Sequence, residues 1–264
     1  MKQLCFFVAL CAASPFPAFA QQLDRSSGTL NRQARATAAT PARDWRFALR
    51  ADGIFDAGSA GFSETVRVTK NVEEARFENS YRGKSGPSFA VAGILPVWRR
   101  LEAGLGVQRF SRSTPVHIQA SVPHPFFFER DRTFEGDTGA ATRKELAVHL
   151  HLATSLDVGE RFLLRAFGGP TWFDVRQGLI SDVTVAEEYP YDTASFRSAA
   201  IREGTGSGVG GHVGGDLSYF LTRQFGIGGT VTFSTGRVSV DAGSGRRKID
   251  AGGVSGGAGV RVRF

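Results

Sequence analysis

The chain has 264 residues, 41% hydrophobic and 22% charged, with a mean hydropathy of −0.14, which excludes a helical membrane protein built from apolar runs of about 20 residues. Glycine fills 33 positions without a period of three, so a collagen is excluded, and 22 Phe are too many for a chain that buries nothing. A single Met, abundant Gly and Phe, and a net charge of +7 leave an all-β architecture.

Residues 1–20 read as a secretory signal: Lys2 is the charged start, residues 4–13 are apolar, and Ala18-Phe19-Ala20 is a small-x-small site, with cleavage after Ala20. Cys11 is no lipoprotein anchor, because Leu10 precedes it where a small residue is needed. Both cysteines, Cys5 and Cys11, leave with the signal, so the mature chain relies on burial and backbone pairing rather than disulfides. Loss of Lys2 leaves 31 basic against 25 acidic residues, or +6, a balance that suits an anionic membrane surface, and no nucleic-acid partner is expected of an exported chain. Residues 21–43 are polar and read as a flexible periplasmic segment. The barrel domain is expected over residues 44–264.

Eight stretches then alternate apolar with small or polar residues at period two: 45–55, 87–98, 101–110, 143–155, 161–177, 205–219, 225–240 and 251–264. Their connections alternate in length. The second, fourth and sixth links are tight, whereas the others span 31, 32, 27 and 10 residues (56–86, 111–142, 178–204 and 241–250) and are expected as loops. Short links at one end and long ones at the other are the layout of an eight-stranded antiparallel up-and-down transmembrane β-barrel with short periplasmic turns and long extracellular loops.

In the fourth stretch Leu146, Val148, Leu150 and Leu152 share the face expected to meet lipid, and Glu145, His149 and His151 the lumen face. Aromatic girdles are expected at the two interfaces: Trp45, Trp98, Tyr219 and Phe225 on the periplasmic side, and Phe55, Phe110, Trp172 and Phe233 about 8 to 10 residues further along their strands. The lumen is expected to hold a plug of paired charges, with Arg46, Arg50, Arg165, Arg261 and Arg263 opposed by Asp52, Glu102, Glu145 and Asp216. Eight strands leave room for little else.

In the last stretch Val260, Val262 and Phe264 alternate with Arg261 and Arg263, and the chain ends on Phe. On this pattern the sequence resembles bacterial outer-membrane β-barrel proteins, the small eight-stranded class of OmpA, OmpX and OmpW type. The resemblance implies a Gram-negative cell outer membrane, a terminal insertion signal at Val260, Val262 and Phe264, and contact with the barrel-assembly machinery, outer-membrane lipids and lipopolysaccharide.

Gly206, Gly208 and Gly211 match a dinucleotide-binding spacing, but strand alternation rather than a helix follows, so they read as a glycine-rich barrel strand. His149 and His151 would chelate a metal only with a third ligand such as His212, and a hydrolase would need His149 or His212 beside Ser155 or Ser218; no local pattern supports either. No metal, cofactor or catalytic residue is assigned. In the second loop Phe126, Phe127 and Phe128 are candidates for contact with an extracellular partner. The third loop carries Asp182, Glu187, Glu188 and Asp192, an acidic stretch with aromatic Tyr189 and Tyr191 between. The expected role is structural or surface-interacting, through the loops, and not enzymatic. The alternatives are a narrow porin-like channel for small or hydrophobic solutes and a lipid-modifying enzyme.

Overall fold

Strands whose side chains alternate strictly can bury one face only if the sheet closes or packs, and this chain does both. The computed structural model describes residues 45–58, 61–83, 85–241 and 246–264. The secretory signal and the whole polar segment after it, residues 1–43, lie outside the described residues. Twelve strands follow: β1 (Ala48–Gly58), β2 (Phe62–Lys70), β3 (Glu73–Tyr81), β4 (Gly86–Trp98), β5 (Leu101–Thr114), β6 (His117–Pro123), β7 (Asp131–Asp137), β8 (Ala141–Val158), β9 (Phe162–Glu187), β10 (Ala194–Phe220), β11 (Phe225–Asp241) and β12 (Arg246–Arg263).

Eight of them form a closed antiparallel barrel in the order β1-β12-β11-β10-β9-β8-β5-β4, with β4 returning to β1. These are the eight period-two stretches read from the sequence. The seam pairs Leu49 with Val262 and Ala51 with Val260. The end with short turns is held locally: Thr222 accepts the amide of Phe225 at 2.9 Å, and Leu221 N donates to Phe225 O at 2.9 Å. Gly159 supplies the positive φ of 69° that the β8–β9 turn requires.

The faces invert the polarity of a soluble sandwich. Leu105, Leu150, Leu152, Val213, Leu217, Ile227 and Val231 point outward and exposed, while Arg50, Asp52, Glu102, His149, Arg165 and Asp216 are buried in the lumen. On β11 the outward series is Phe225, Ile227, Gly229, Val231 and Phe233, then Thr235 and Arg237. Nine residues of apolar face followed by polar ones match the span that a tilted strand needs to cross hydrocarbon.

The 31- and 32-residue connections are not loops. They carry β2, β3, β6 and β7, which pair in that order as a second antiparallel sheet. Ala75, Phe77, Tyr81, Ile118, Ala120 and Val122 on one face of it pack against Val175, Leu179, Ile180, Val238, Val240 and Ile249. Those partners lie on extensions of β9, β11 and β12 beyond the apolar band, where the barrel wall continues as one half of a sandwich. The 27-residue connection is likewise mostly strand, since β9 and β10 run to 26 and 27 residues and meet at a short turn after Glu187. The headpiece built from these connections is therefore folded, with its own apolar core. Tyr81 ties it to the wall: its hydroxyl accepts the Ile180 amide at 2.9 Å, and burial pushes the phenol up to about 12.

Candidate functional site

The lumen contains three tiers of polar side chains. The lowest is an ion-pair cluster of three guanidiniums and three carboxylates. Arg261, from β12, contacts Asp52 at 2.6 Å, and its Nε donates to Asp216 at 3.0 Å. Arg165 reaches Glu102 at 2.5 Å and Asp216 at 3.4 Å, and Arg50 lies 3.1 Å from Asp52. Hydroxyls add further hydrogen bonds: Ser218 and Thr230 donate to Asp216 at 2.6 and 2.9 Å, and Ser155 to Glu102 at 2.6 Å. The cluster is neutral as a whole, and every member is buried.

Above it lies a tier of imidazoles. Thr171 hydroxyl contacts His149 Nδ1 at 2.8 Å and His212 Nδ1 at 2.9 Å, and His212 Nε2 lies 2.8 Å from His151 Nδ1. His151 sits over Gly106, where a Cβ would stand 2.4 Å from its Nε2, so the glycine makes room for the ring. Gly169, at φ 156°, lets the Leu150 carbonyl approach where a Cβ would be 2.0 Å away, and it pairs in register with His212, whose lumen phase is that of Asp216 and Ser218. A neighbouring void lined by Arg50, Gln108, His149 and His151 has about 10 Å³, the space of roughly one water. The third tier is Arg143 with Glu145 at 3.1 Å; Glu145 also accepts the Gly252 amide at 3.1 Å.

Of the residues assigned to a charge plug, Arg50, Asp52, Glu102, Arg165, Asp216 and Arg261 meet in one cluster. Three do not. Arg46 precedes β1 and is exposed, because the chain has not yet entered the ladder at that point. Arg263 is half-buried with its guanidinium 3.5 Å from the Phe220 ring centre and 5.6 Å from that of Trp45. Glu145 belongs to the upper tier with Arg143, which had not been assigned.

Two girdle assignments are corrected. Phe110 shares parity with Glu102 and Gln108 and is buried in the lumen, and Trp45 tucks inside the barrel mouth against Ala48 and Ile94. Spacing along the strand had placed them, whereas phase decides the face. Phe55, Trp98, Trp172, Phe225 and Phe233 are exposed on the outer surface, and Tyr219 is half-exposed beside Phe162 at 4.9 Å. Val260 and Phe264 also face outward, with Phe264 stacked on Phe47 at 6.2 Å.

The chemistry considered for catalysis is not assembled. Ser155 and Ser218 hydrogen-bond carboxylates rather than histidines, and among the described residues no three ligating side chains are placed to hold a metal. Gly206 and Gly208 lie on β10, where a Cβ would strike the carbonyls of Ser239 and Arg237 at 2.2 and 2.3 Å, so they serve close strand packing.

At the tip of the headpiece Phe126, Phe127 and Phe128 are exposed, and Phe126 meets Tyr191 edge-on at 5.5 Å. Arg130 lies 5.6 Å over Phe127 and pairs with Asp192 at 3.1 Å. Glu187 is gripped by Arg132 at 2.5 Å and Lys70 at 3.3 Å. Burial works to raise its carboxyl, but these two cations outweigh it and hold it below the usual range. Two of the four acids of this stretch, Glu187 and Asp192, are thus paired with cations of the headpiece, beside an aromatic rim.

No protein-family model and no curated protein matches the chain. Among solved structures it is similar to the outer membrane protein OprG from Pseudomonas aeruginosa, at 12% identity and a TM-score of 0.45 over 85% of this chain and 98% of that one. It is also similar to Neisserial surface protein A, at 12% and 0.39 over 83% and 97%, and to the outer membrane protease OmpT from Escherichia coli, at 9% and 0.42 over 86% and 100%. These values are too low to carry any property to this chain, and the barrel assignment stands on its own hydrogen-bonded ladder.

Proposed function

We propose that the chain is an integral protein of a Gram-negative outer membrane whose role is carried by its extracellular headpiece, with the barrel as a closed anchor rather than a pore or an enzyme. The observation that carries this reading is the neutral six-charge cluster around Asp216, which fills the lumen section with side chains bonded to one another. Ions would have to break several charge-assisted hydrogen bonds to pass. The headpiece, by contrast, spends about a hundred residues on a folded sandwich that a simple anchor does not need. Its exposed Phe126, Phe127 and Phe128 are the surface offered to an extracellular partner. In this reading the signal is cleaved after Ala20, the barrel-assembly machinery recognises Val260, Val262 and Phe264, and outer-membrane lipids surround the apolar band.

The test is conductance. Purified barrel reconstituted in a planar bilayer is expected to pass little steady current at moderate voltage. A large, stable conductance would overturn the closed-anchor reading in favour of the channel, and altered lipid A acyl chains on expression would favour the lipid-modifying enzyme.

A further inference from the structure

The outer surface is not uniform where the apolar band gives way to polar residues. On β10 and β11 the first outward side chains above Val209 and Phe233 are Ser207 and Thr235, and on β12 the position above Val254 is Gly252, which carries no side chain. On β5 and β8 the change is to cations, and on β9 it is to Asp174 and then to a cation. Arg109 stands one outward step above Val107, Lys144 one step above Leu146, and Arg176 two steps above Trp172. Lys144 and Arg176 are direct cross-strand partners, and Arg109 is the partner of Leu146, one outward step below Lys144. The three cations therefore share one patch of wall across three adjacent strands, along a surface cleft of about 280 Å³.

Their charge is incompletely answered. Glu203 from β10 lies 4.0 Å from Lys144 and 3.8 Å from Arg176, at the outer limit of an ion pair, and Arg109 pairs with no carboxylate among the described residues. Asp174, half-exposed beside Leu146, is the other acid in the patch. Three cations against two carboxylates leave a net +1 on a face otherwise uncovered, directly above lipid-facing Val148, Leu150 and Trp172.

We propose that this patch binds the phosphate of a phosphorylated outer-leaflet lipid, its acyl chains lying along the apolar faces of β5, β8 and β9. A phosphate carries about −1.5 to −2 at pH 7 and three strong acceptor oxygens, which suit diverging Arg and Lys donors better than one carboxylate does. The height of the cations fits a headgroup, since they begin where the band of Val107, Val148 and Trp172 ends. This inference rests on the reading of the barrel as an outer-membrane protein. Its test is made in detergent, so its failure and a failure of localisation are distinguishable.

The experiment measures binding of purified bisphosphorylated lipid A to the barrel in micelles containing a metal chelator, by native mass spectrometry, beside the dephosphorylated lipid and inorganic phosphate. The phosphorylated lipid is expected to bind, and the combined R109Q, K144Q and R176Q variant, whose altered side chains are solvent-exposed, to lose about tenfold in affinity or more. Arg237→Gln, beyond the band on β11, should bind as wild type does. Asp174→Asn should bind several-fold more tightly, a gain that no folding defect produces. Equal binding of the dephosphorylated lipid would overturn the proposal by reducing the contact to lipid tails. Equal affinity for inorganic phosphate would make the patch a free-anion site, and a loss on Asp174→Asn would place a carboxylate, not the cations, at the contact. Either result refutes the assignment.

Discussion

Asp216 holds together more of the lumen than any other carboxylate, and replacing it with Asn tests the ion-pair cluster. The amide keeps the volume, but its single oxygen can accept from only one of Ser218 and Thr230, which donate to different carboxylate oxygens, and it removes the charge that Arg261 contacts at 3.0 Å and Arg165 at 3.4 Å. Three buried guanidiniums then face two carboxylates. Breaking a buried pair in this way costs about 3 to 5 kcal/mol, because the uncompensated charge remains in a place that water reaches poorly. Removing Arg261 as well, as Arg261→Met with Asp216→Asn, restores neutrality and leaves two pairs intact: Arg50 with Asp52 at 3.1 Å and Arg165 with Glu102 at 2.5 Å. The double variant should therefore be more stable than the sum of the two single losses implies, by at least about 1 kcal/mol. A reversible urea titration of refolding into lipid vesicles measures all three variants. Additive losses, or a single Asp216→Asn loss below about 1 kcal/mol, would refute the reading of the cluster as a tightly coupled, dehydrated plug.

Leu150→Arg, in the middle of the lipid-facing row of β8, should cost about 2 to 4 kcal/mol in the same titration, whereas Ser239→Arg, outward on β11 above the apolar band, should be near neutral; equal costs would contradict the assigned membrane span. Phe264→Asp should reduce assembly in the outer membrane of cells while leaving refolding in vitro largely unaffected, and normal levels in the membrane would refute a terminal signal. Glu187 is held below the ordinary carboxylate range, so its grip on Lys70 and Arg132 is fully present above that range and lost as pH falls through the lowered value. Hydrogen-exchange protection factors in β2 and β7, taken against the intrinsic rate at each pH, should fall on acidification in wild type and already be lower at neutral pH in Glu187→Gln; pH-independent protection in wild type would refute the link.

The eight wall strands were legible because a membrane barrel writes its faces at period two over long stretches, and the row of Leu146, Val148, Leu150 and Leu152 leaves no second phase to choose. The headpiece was not read, although signals were present. Ile118, Ala120 and Val122 alternate as cleanly as a wall strand, and connections of 31 and 32 residues are too long for structureless loops in a compact domain. Its strands are short and charged on the solvent side, as in β2, where Glu64 is buried and Val68 exposed, so local alternation is weak until the partner sheet is known. The imidazole tier failed for a different reason. The meeting of His149 and His212 through Thr171 depends on the register of three strands, β8, β9 and β10, which no single strand carries.

Register also ties the sealed lumen to the closing of the barrel. The seam between β1 and β12 places Arg50 directly opposite Arg261, and like charges at facing positions of a ladder destabilise it. Asp52, beside Arg50 on β1, and Asp216, reaching across from β10, bridge the two guanidiniums, with Arg261 on both carboxylates. Before the seam forms, Asp216 can engage Arg261 only through β11 and lacks Arg50, while Asp52 lacks Arg261 altogether. The first and last strands thus complete the same neutral cluster that lies in the lumen, so that the cluster is assembled in the act of closing the wall. On the closed-anchor reading proposed above, opening the lumen would withdraw the carboxylates that hold Arg50 and Arg261 side by side.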